Sequence, residues 1–240
     1  MKGTRRLNKK NNSYLLYGLL FFVLVVLCLI VRIRIIDAQI KNYPEWIDPT
    51  LIPILHKKIN DVPLWYKMVE VLYTRGRYMD WHTLEQQLDI LVEKIKAASI
   101  PFDAMVGIKS GGAIVTKYIA TKLGLPYYYV KLSDKDYNCN KKPLDTGNYL
   151  YKNLTNTKKQ YSVCEAIQAD LQNKTILLFD ELISSGNTLL HTINYLLEEK
   201  KVKKVVPATI FKKKETYADY NPLYLKKGLY DSIWSWGYDN

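Results

Sequence analysis

A chain of 240 residues can hold one ordinary domain with appendages, and its 48% apolar content is that of a globular protein, although unevenly spread. The net charge of +12 does not mark a nucleic-acid binder, because residues 1–41 carry eight basic side chains against Asp37 alone, a net +7, and leave only +5 for everything after them. The three cysteines, Cys28, Cys139 and Cys164, show neither metal-ligand spacing nor an evident disulfide framework, and say little about compartment.

After a basic tail (1–13), residues 14–31 read "YLLYGLLFFVLVVLCLIV", without a charge. As a helix this run is roughly 27 Å long, close to the hydrocarbon thickness of a bilayer. Arg32 and Arg34 follow it where a signal peptide would place small residues, and a soluble core helix is rarely apolar on every face. The expectation is a single membrane-spanning helix, with its flanking bases meeting anionic headgroups. The bias of positive charge toward the N-terminal side places the rest of the chain across the membrane from the cytosol.

Residues 32–76 read as a juxtamembrane linker, interrupted by Pro44, Pro49, Pro53 and Pro63. Beyond it, Leu84, Leu88, Leu91, Val92 and Ile95 recur at helical spacing, with Thr83 and Gln86 placed to form a capping box. A short apolar strand (102–108), a "KSGG" loop (109–112), a helix (113–123) and a strand (127–132) follow, with Gly124 and Pro126 ending the helix. Residues 133–172 are polar and rich in Lys and Asn, with one helical stretch expected near "VCEAIQADL". A strand (175–179), a loop, a helix (188–199) and a strand (204–211) complete the pattern. Strands alternating with helices predict an α/β domain, a parallel sheet flanked by helices. The long insertion is expected to act as a cover. The lysines at 200, 201, 203, 204 and 212–214 form either a solvated face or a rim suited to phosphate.

Ligands of such sheets gather beyond the carboxyl ends of the strands. Two loops lie there, Lys109–Gly112 and Asp180–Thr188. In the second, Ser184, Ser185 and Gly186 let backbone N–H groups approach a ligand, Thr188 adds a hydroxyl, and the start of the following helix favours a phosphate. Asp180 and Glu181 would repel that phosphate but suit ribose hydroxyls or Mg²⁺. The combination fits a sugar phosphate. The plainer alternative is a strand end with exposed acids before a Ser/Asn-capped helix. The first loop is no P-loop, since G-x-x-x-x-G-K-[ST] is absent.

"ILLFDELISSGNT" resembles the PRPP-binding signature of type I phosphoribosyltransferases, and "VGIKSGG" resembles that family's pyrophosphate loop. "YMDWHTLEQQLDILVEKI", "ATIFKKK" and "SIWSWGYDN" are similar to segments of bacterial xanthine-guanine phosphoribosyltransferases. The resemblance covers residues 77–240 and implies the type I phosphoribosyltransferase fold with a hood over residues 133–165. It implies transfer of ribose 5-phosphate from PRPP to a purine base with release of pyrophosphate, assisted by Mg²⁺. On that resemblance Asp180 and Glu181 hold the ribose hydroxyls or the metal, and Ser184, Ser185, Gly186, Asn187 and Thr188 hold the 5′-phosphate. Lys109, Ser110, Gly111 and Gly112 meet pyrophosphate. Lys213 reaches a 6-oxopurine, Trp234 or Trp236 stacks on its ring, and Asp239 touches metal. Lys213 as a solvated edge lysine, Lys109 as a surface lysine, and the two tryptophans as core or membrane-interface aromatics stay open beside these roles.

Two departures bear on activity. Glu181 stands where the signature has Asp, and Ser184 stands where 6-oxopurine members have the Asp that exchanges a proton with the base. Serine at its ordinary pKa cannot replace that base. Ser110 stands where the nearest relatives have Arg. Two classes therefore follow: a membrane-anchored phosphoribosyltransferase, or a non-catalytic PRPP- or nucleotide-binding sensor tethered to a membrane. Association into a homo-oligomer is left open. PRPP and free purines are cytosolic, which favours a single-pass protein with its domain in the cytosol. The charge bias favours the opposite face, where the Asn153-Leu-Thr and Asn173-Lys-Thr triplets could be glycosylated, although such triplets often arise by chance in Asn-rich chains.

Overall fold

The structure is a computed structural model that describes residues 4–74, 78–109, 111–133, 162–183, 186–212 and 223–227. The described residues fall into two compact units. One holds the described chain up to Tyr43 together with Leu55–Asp80; the other holds Pro44–Ile54 and the described residues from Trp81 to Lys227.

In the first unit, helix α1 (Thr4–Lys41) runs without a break through the apolar stretch and ten residues beyond it. No glycine or proline stops it between Gly18 and Pro44. Side chains from Tyr14 to Leu24 are exposed, and Tyr14–Lys41 is long and apolar enough to cross a membrane. Past Val31 the character changes. Ile33, Ile36 and Ile40 share one helical face and are buried against Ile59 and Val62, which follow Leu55 in helix α2 (Ile52–Asp61) and just after it, and Val71 of helix α3 (Leu64–Tyr73). Pro63 ends α2 and opens α3, its carbonyl accepting from the Lys67 N–H at 3.1 Å. Lys67 reaches back to Asp37, Nζ to Oδ2 2.7 Å, with both side chains largely buried.

The second unit is built on a six-stranded sheet, β1 (Ala104–Ile108), β2 (Tyr127–Ser133), β3 (Ser162–Glu165), β4 (Thr175–Ile183), β5 (Lys204–Lys212) and β6 (Leu223–Lys227), in the order β3-β2-β1-β4-β5-β6. Helix α4 (Trp81–Ala97) precedes β1, α5 (Gly111–Leu123) joins β1 to β2, and α6 (Asn187–Asn194), continued by a π turn over Tyr195–Glu199, joins β4 to β5. The central strands are apolar on both faces, as helix-covered parallel strands must be; Ile176, Leu177, Leu178 and Phe179 are all fully buried. Gly124, at φ +69°, ends α5, with its N–H bonded to the Thr121 carbonyl and the Leu125 N–H to Ala120.

Four expectations change. The sheet is mixed, because β3 runs antiparallel to β2. The segment expected as a helix near "VCEAIQADL" is that edge strand followed by turns; pairing with β2 decides its state, since strand preference depends on context. Helix α4 starts at Trp81, which puts Thr83 inside the first turn and not at the cap. Finally, residues 44–54, read as linker, belong with the sheet unit. Trp46 packs edge-on between Trp81 (5.7 Å between centroids) and Tyr118 (5.1 Å), and its indole N–H donates to Glu85. Asp48 accepts from the Thr50 N–H at 2.9 Å and from the Tyr129 hydroxyl at 2.9 Å. Cys164 is disulfide-bonded, a feature its spacing in the sequence did not reveal.

Candidate active site

Strands β1 and β4 are neighbours, with Gly107 opposite Phe179. The chain leaves β1 toward β2 on one side and leaves β4 toward β5 on the other, so the crevice between their carboxyl ends is the point where the strand order reverses. The two sequence-predicted loops meet in this crevice.

The approach is close enough to exclude side chains. A Cβ on Gly112 would stand 2.7 Å from the Phe179 carbonyl oxygen and 2.9 Å from the Asp180 Cα, and a Cβ on Gly111 would collide with the Glu181 carboxylate. Glycine is therefore required at Gly112 by contact with main-chain atoms and not by backbone torsion, whereas at Gly111 the clash is with the end of the Glu181 side chain. The N–H groups that open α5 consequently lie beside the acids at the end of β4.

Asp180 Oδ1 accepts from the Glu181 N–H at 3.1 Å. Burial first, and the adjoining Glu181 carboxylate second, push the Asp180 carboxyl well above the usual carboxylate range. Glu181 Oε2 is buried with no hydrogen-bond partner. An orphaned carboxylate oxygen beside a second acid is a hard-oxygen donor set that fits Mg²⁺ or sugar hydroxyls, each of which would relieve the repulsion. Among the described residues no cluster of three or more His, Cys, Asp or Glu could hold a metal, so a cation here would complete its shell with ligand oxygens and water.

On the other side of the acids, Gly186 has φ +85° and turns the chain into α6, where the Leu190 N–H bonds to its carbonyl at 2.9 Å. Gly186 at the N-cap offers no side chain to the first turn, and the start of a helix is a place where an anion is favoured. Ser184 and Ser185 lie outside the described residues, as do Ser110, Lys213, Trp234, Trp236 and Asp239.

Lys109 is placed at the crevice but is engaged, forming an ion pair with Glu165 of β3 and lying 5.7 Å from the Tyr129 ring centroid. Neither Glu165 nor Tyr129 was singled out from sequence. Once the segment is recognised as a strand antiparallel to β2, the register Lys131–Glu165 carries Glu165 to the pyrophosphate-loop side.

With this geometry in view, comparison with known proteins identifies the family. Residues 75–227 match the family described as "Phosphoribosyl transferase domain". The chain belongs to that family and has the type I phosphoribosyltransferase fold, preceded by one apolar helix. A purine phosphoribosyltransferase from Pyrococcus horikoshii Ot3 superposes with TM-score 0.50 at 18% identity, covering 68% of this chain and 95% of that one. A xanthine-guanine-hypoxanthine phosphoribosyltransferase from Helicobacter pylori gives TM-score 0.50 at 20% identity, covering 67% and 93%. Among curated relatives, an orotate phosphoribosyltransferase of Sulfurisphaera tokodaii is 22% identical over 127 residues, covering 51% of this chain and 53% of its own length. One of Staphylothermus marinus is 26% identical over 138 residues, covering 54% and 56%. The chain thus spans about half the length of these curated relatives.

Proposed function

We propose that the protein is a membrane-anchored phosphoribosyltransferase that transfers ribose 5-phosphate from PRPP to a purine base. The observation that carries this reading is the half-buried Asp180–Glu181 pair, with a buried and unpartnered Glu181 oxygen, set against the glycine start of α5.

In the reaction the bond from the ribose anomeric carbon to pyrophosphate oxygen breaks, a bond to a ring nitrogen forms, and the base loses its proton. The sugar carries oxocarbenium character between these events, so positioning and electrostatics do most of the work. Asp180 and Glu181 would hold the ribose hydroxyls and, with them, Mg²⁺, whose contribution is to neutralise the leaving pyrophosphate. The first turn of α6, from Gly186 to Thr188, would hold the 5′-phosphate. The N–H groups opening α5 would receive pyrophosphate, and Lys109 would join them on leaving Glu165. Ser184 supplies no proton acceptor of useful pKa, so the proton leaving the base passes to solvent water, a route that favours a base whose ring N–H is already acidic. Base contacts are assigned to Lys213, Trp234 and Trp236, and a further metal contact to Asp239, on resemblance alone. Turnover assays with each purine and with orotate, reading pyrophosphate, test the assignment. A Ser184→Asp variant that gains activity on guanine or hypoxanthine would support the 6-oxopurine reading.

Residues 14–31 of α1 provide the anchor, and the need for PRPP places the domain in the cytosol. Protection of the domain from added protease inside sealed right-side-out vesicles is the expected result. One observation favours a second reading. Cys164 is disulfide-bonded, and such bonds persist in oxidising compartments. A domain on that face would act as a tethered ligand-binding module and not as a salvage enzyme; glycosylation at Asn153 or Asn173 would establish it.

A further inference from the structure

We infer that the outer face of α3 is a second lipid contact, in which Trp65, Val69, Leu72 and Tyr73 lie in the headgroup layer of the bilayer crossed by α1. This rests on the reading of residues 14–31 as a membrane span.

The face is apolar and uncovered: Trp65 is 66% exposed, Val69 55%, Leu72 59% and Tyr73 74%. Trp65, Val69 and Leu72 follow at i, i+4 and i+7 and form one stripe. The opposite side of the same helix is buried through Lys67 and Val71. An amphipathic helix with its apolar side in solvent is unfavourable unless something of low polarity covers it.

The position of α3 along α1 says what covers it. The 2.7 Å ion pair holds Lys67 level with Asp37. Asp37 lies six residues past Val31, the last residue of the uncharged run, or about 9 Å along the helix axis. The headgroup region on each side of the hydrocarbon is roughly 5–8 Å deep, so the ion pair stands at its outer edge, and the usual tilt of about 20° lowers it by less than about 1 Å. Leu29, inside the apolar run, packs against the same side-chain cluster that contains Val71. The cluster is therefore continuous from the hydrocarbon edge to α3. Trp and Tyr are the aromatic residues enriched at this depth, and Arg32, Arg34 and Lys41 on α1 place positive charge beside it for anionic lipids. The stripe and the anchor together are the pattern of an interfacial helix lying at the foot of a span.

The test uses the full chain with Cys28→Ser, Cys139→Ser and Cys164→Ser, reconstituted in phosphatidylcholine–phosphatidylserine vesicles. Single spin-labelled cysteines are placed by Val69→Cys and Leu72→Cys on the stripe, Val23→Cys in the span and Glu93→Cys on the exposed face of α4. Collision rates with oxygen and with a water-soluble nickel chelate are then compared. The labels at 69 and 72 are expected to favour oxygen several-fold more than the label at 93, approaching the label at 23. If 69 and 72 behave like 93 while 23 is lipid-like, the α3 proposal is overturned and the anchor stands. If 69 and 72 collide little with either reagent, protein covers the stripe and the proposal is equally overturned. An aqueous reading at 23 removes the anchor, and this inference with it.

Discussion

The carboxylate of Glu181 occupies the space that a side chain on Gly111 would need. This relationship joins the end of β4 to the start of α5, and puts an acid from one loop against the N–H groups of the other. It also accounts for the longer acid: from the strand end, the extra methylene of glutamate carries its oxygens to Gly111. A ligand that brings a cation or hydroxyls to the acids and an anion to α5 satisfies both sides at once.

Gly112→Ala meets main-chain atoms, the Phe179 carbonyl at 2.7 Å and the Asp180 Cα at 2.9 Å, which cannot swing aside. The expected cost is about 1–3 kcal/mol in urea unfolding, with loss of PRPP binding. Gly111→Ala meets a side chain instead. Combining it with Glu181→Ala should recover most of its stability loss and none of the binding, a non-additivity read from a double-mutant cycle.

Asp180→Asn should stabilise the ligand-free protein. Because the folded state raises the Asp180 pKa, its favourable contribution is complete below about pH 4 and is lost as pH climbs through the folded value. At pH 7 the substitution removes the cost of holding an ionisable carboxyl in a desolvated place beside Glu181 and should raise Tm by about 3–6 °C, equivalent to roughly 1–2 kcal/mol. The same variant should lose the Tm increase expected for the wild type with Mg²⁺ and PRPP. Asp48 works in the opposite sense. Burial pushes its carboxyl up, but hydrogen bonds from Thr50 and Tyr129 outweigh that and hold it low, so its contribution is present above about pH 4 and disappears on acidification.

Glu165→Gln should release Lys109 from its ion pair. The expected outcome in steady-state kinetics is a KM for PRPP lowered by about two- to fivefold, with kcat little changed, the scale of a partly exposed charge pair of up to about 1 kcal/mol. Lys109→Ala should raise that KM instead.

Trp46→Ala removes an indole wedged between Trp81 and Tyr118. A loss of about 2–3 kcal/mol in chemical denaturation is expected. A fragment beginning after residue 54 should show at least the same loss, and soluble versions of the domain should therefore retain residues 44–54.

Much of this was legible in the chain because the physics involved is local. Apolar runs bounded by Gly124–Pro126 and by "KSGG" define the strands and helices around the crevice, and two acids followed by small residues define its chemistry. Edge strand β3 was not legible. Four residues with one buried valine carry no periodicity, and only the β2 partner makes them a strand. The docking of Trp46 and Asp48 depends on residues 35 to 81 positions away, which no window on the sequence contains. Asp37 and Lys67 were hidden for the same reason, one in a helix read as ending earlier and the other in a stretch read as linker.

The most direct test of the account is calorimetric titration of the full chain in detergent with PRPP, with and without Mg²⁺, followed in the same sample by pyrophosphate release on adding each purine base. The account predicts Mg²⁺-dependent binding that Asp180→Asn abolishes, and stoichiometric pyrophosphate release with at least one purine. A folded chain that binds no PRPP at any Mg²⁺ concentration would contradict it.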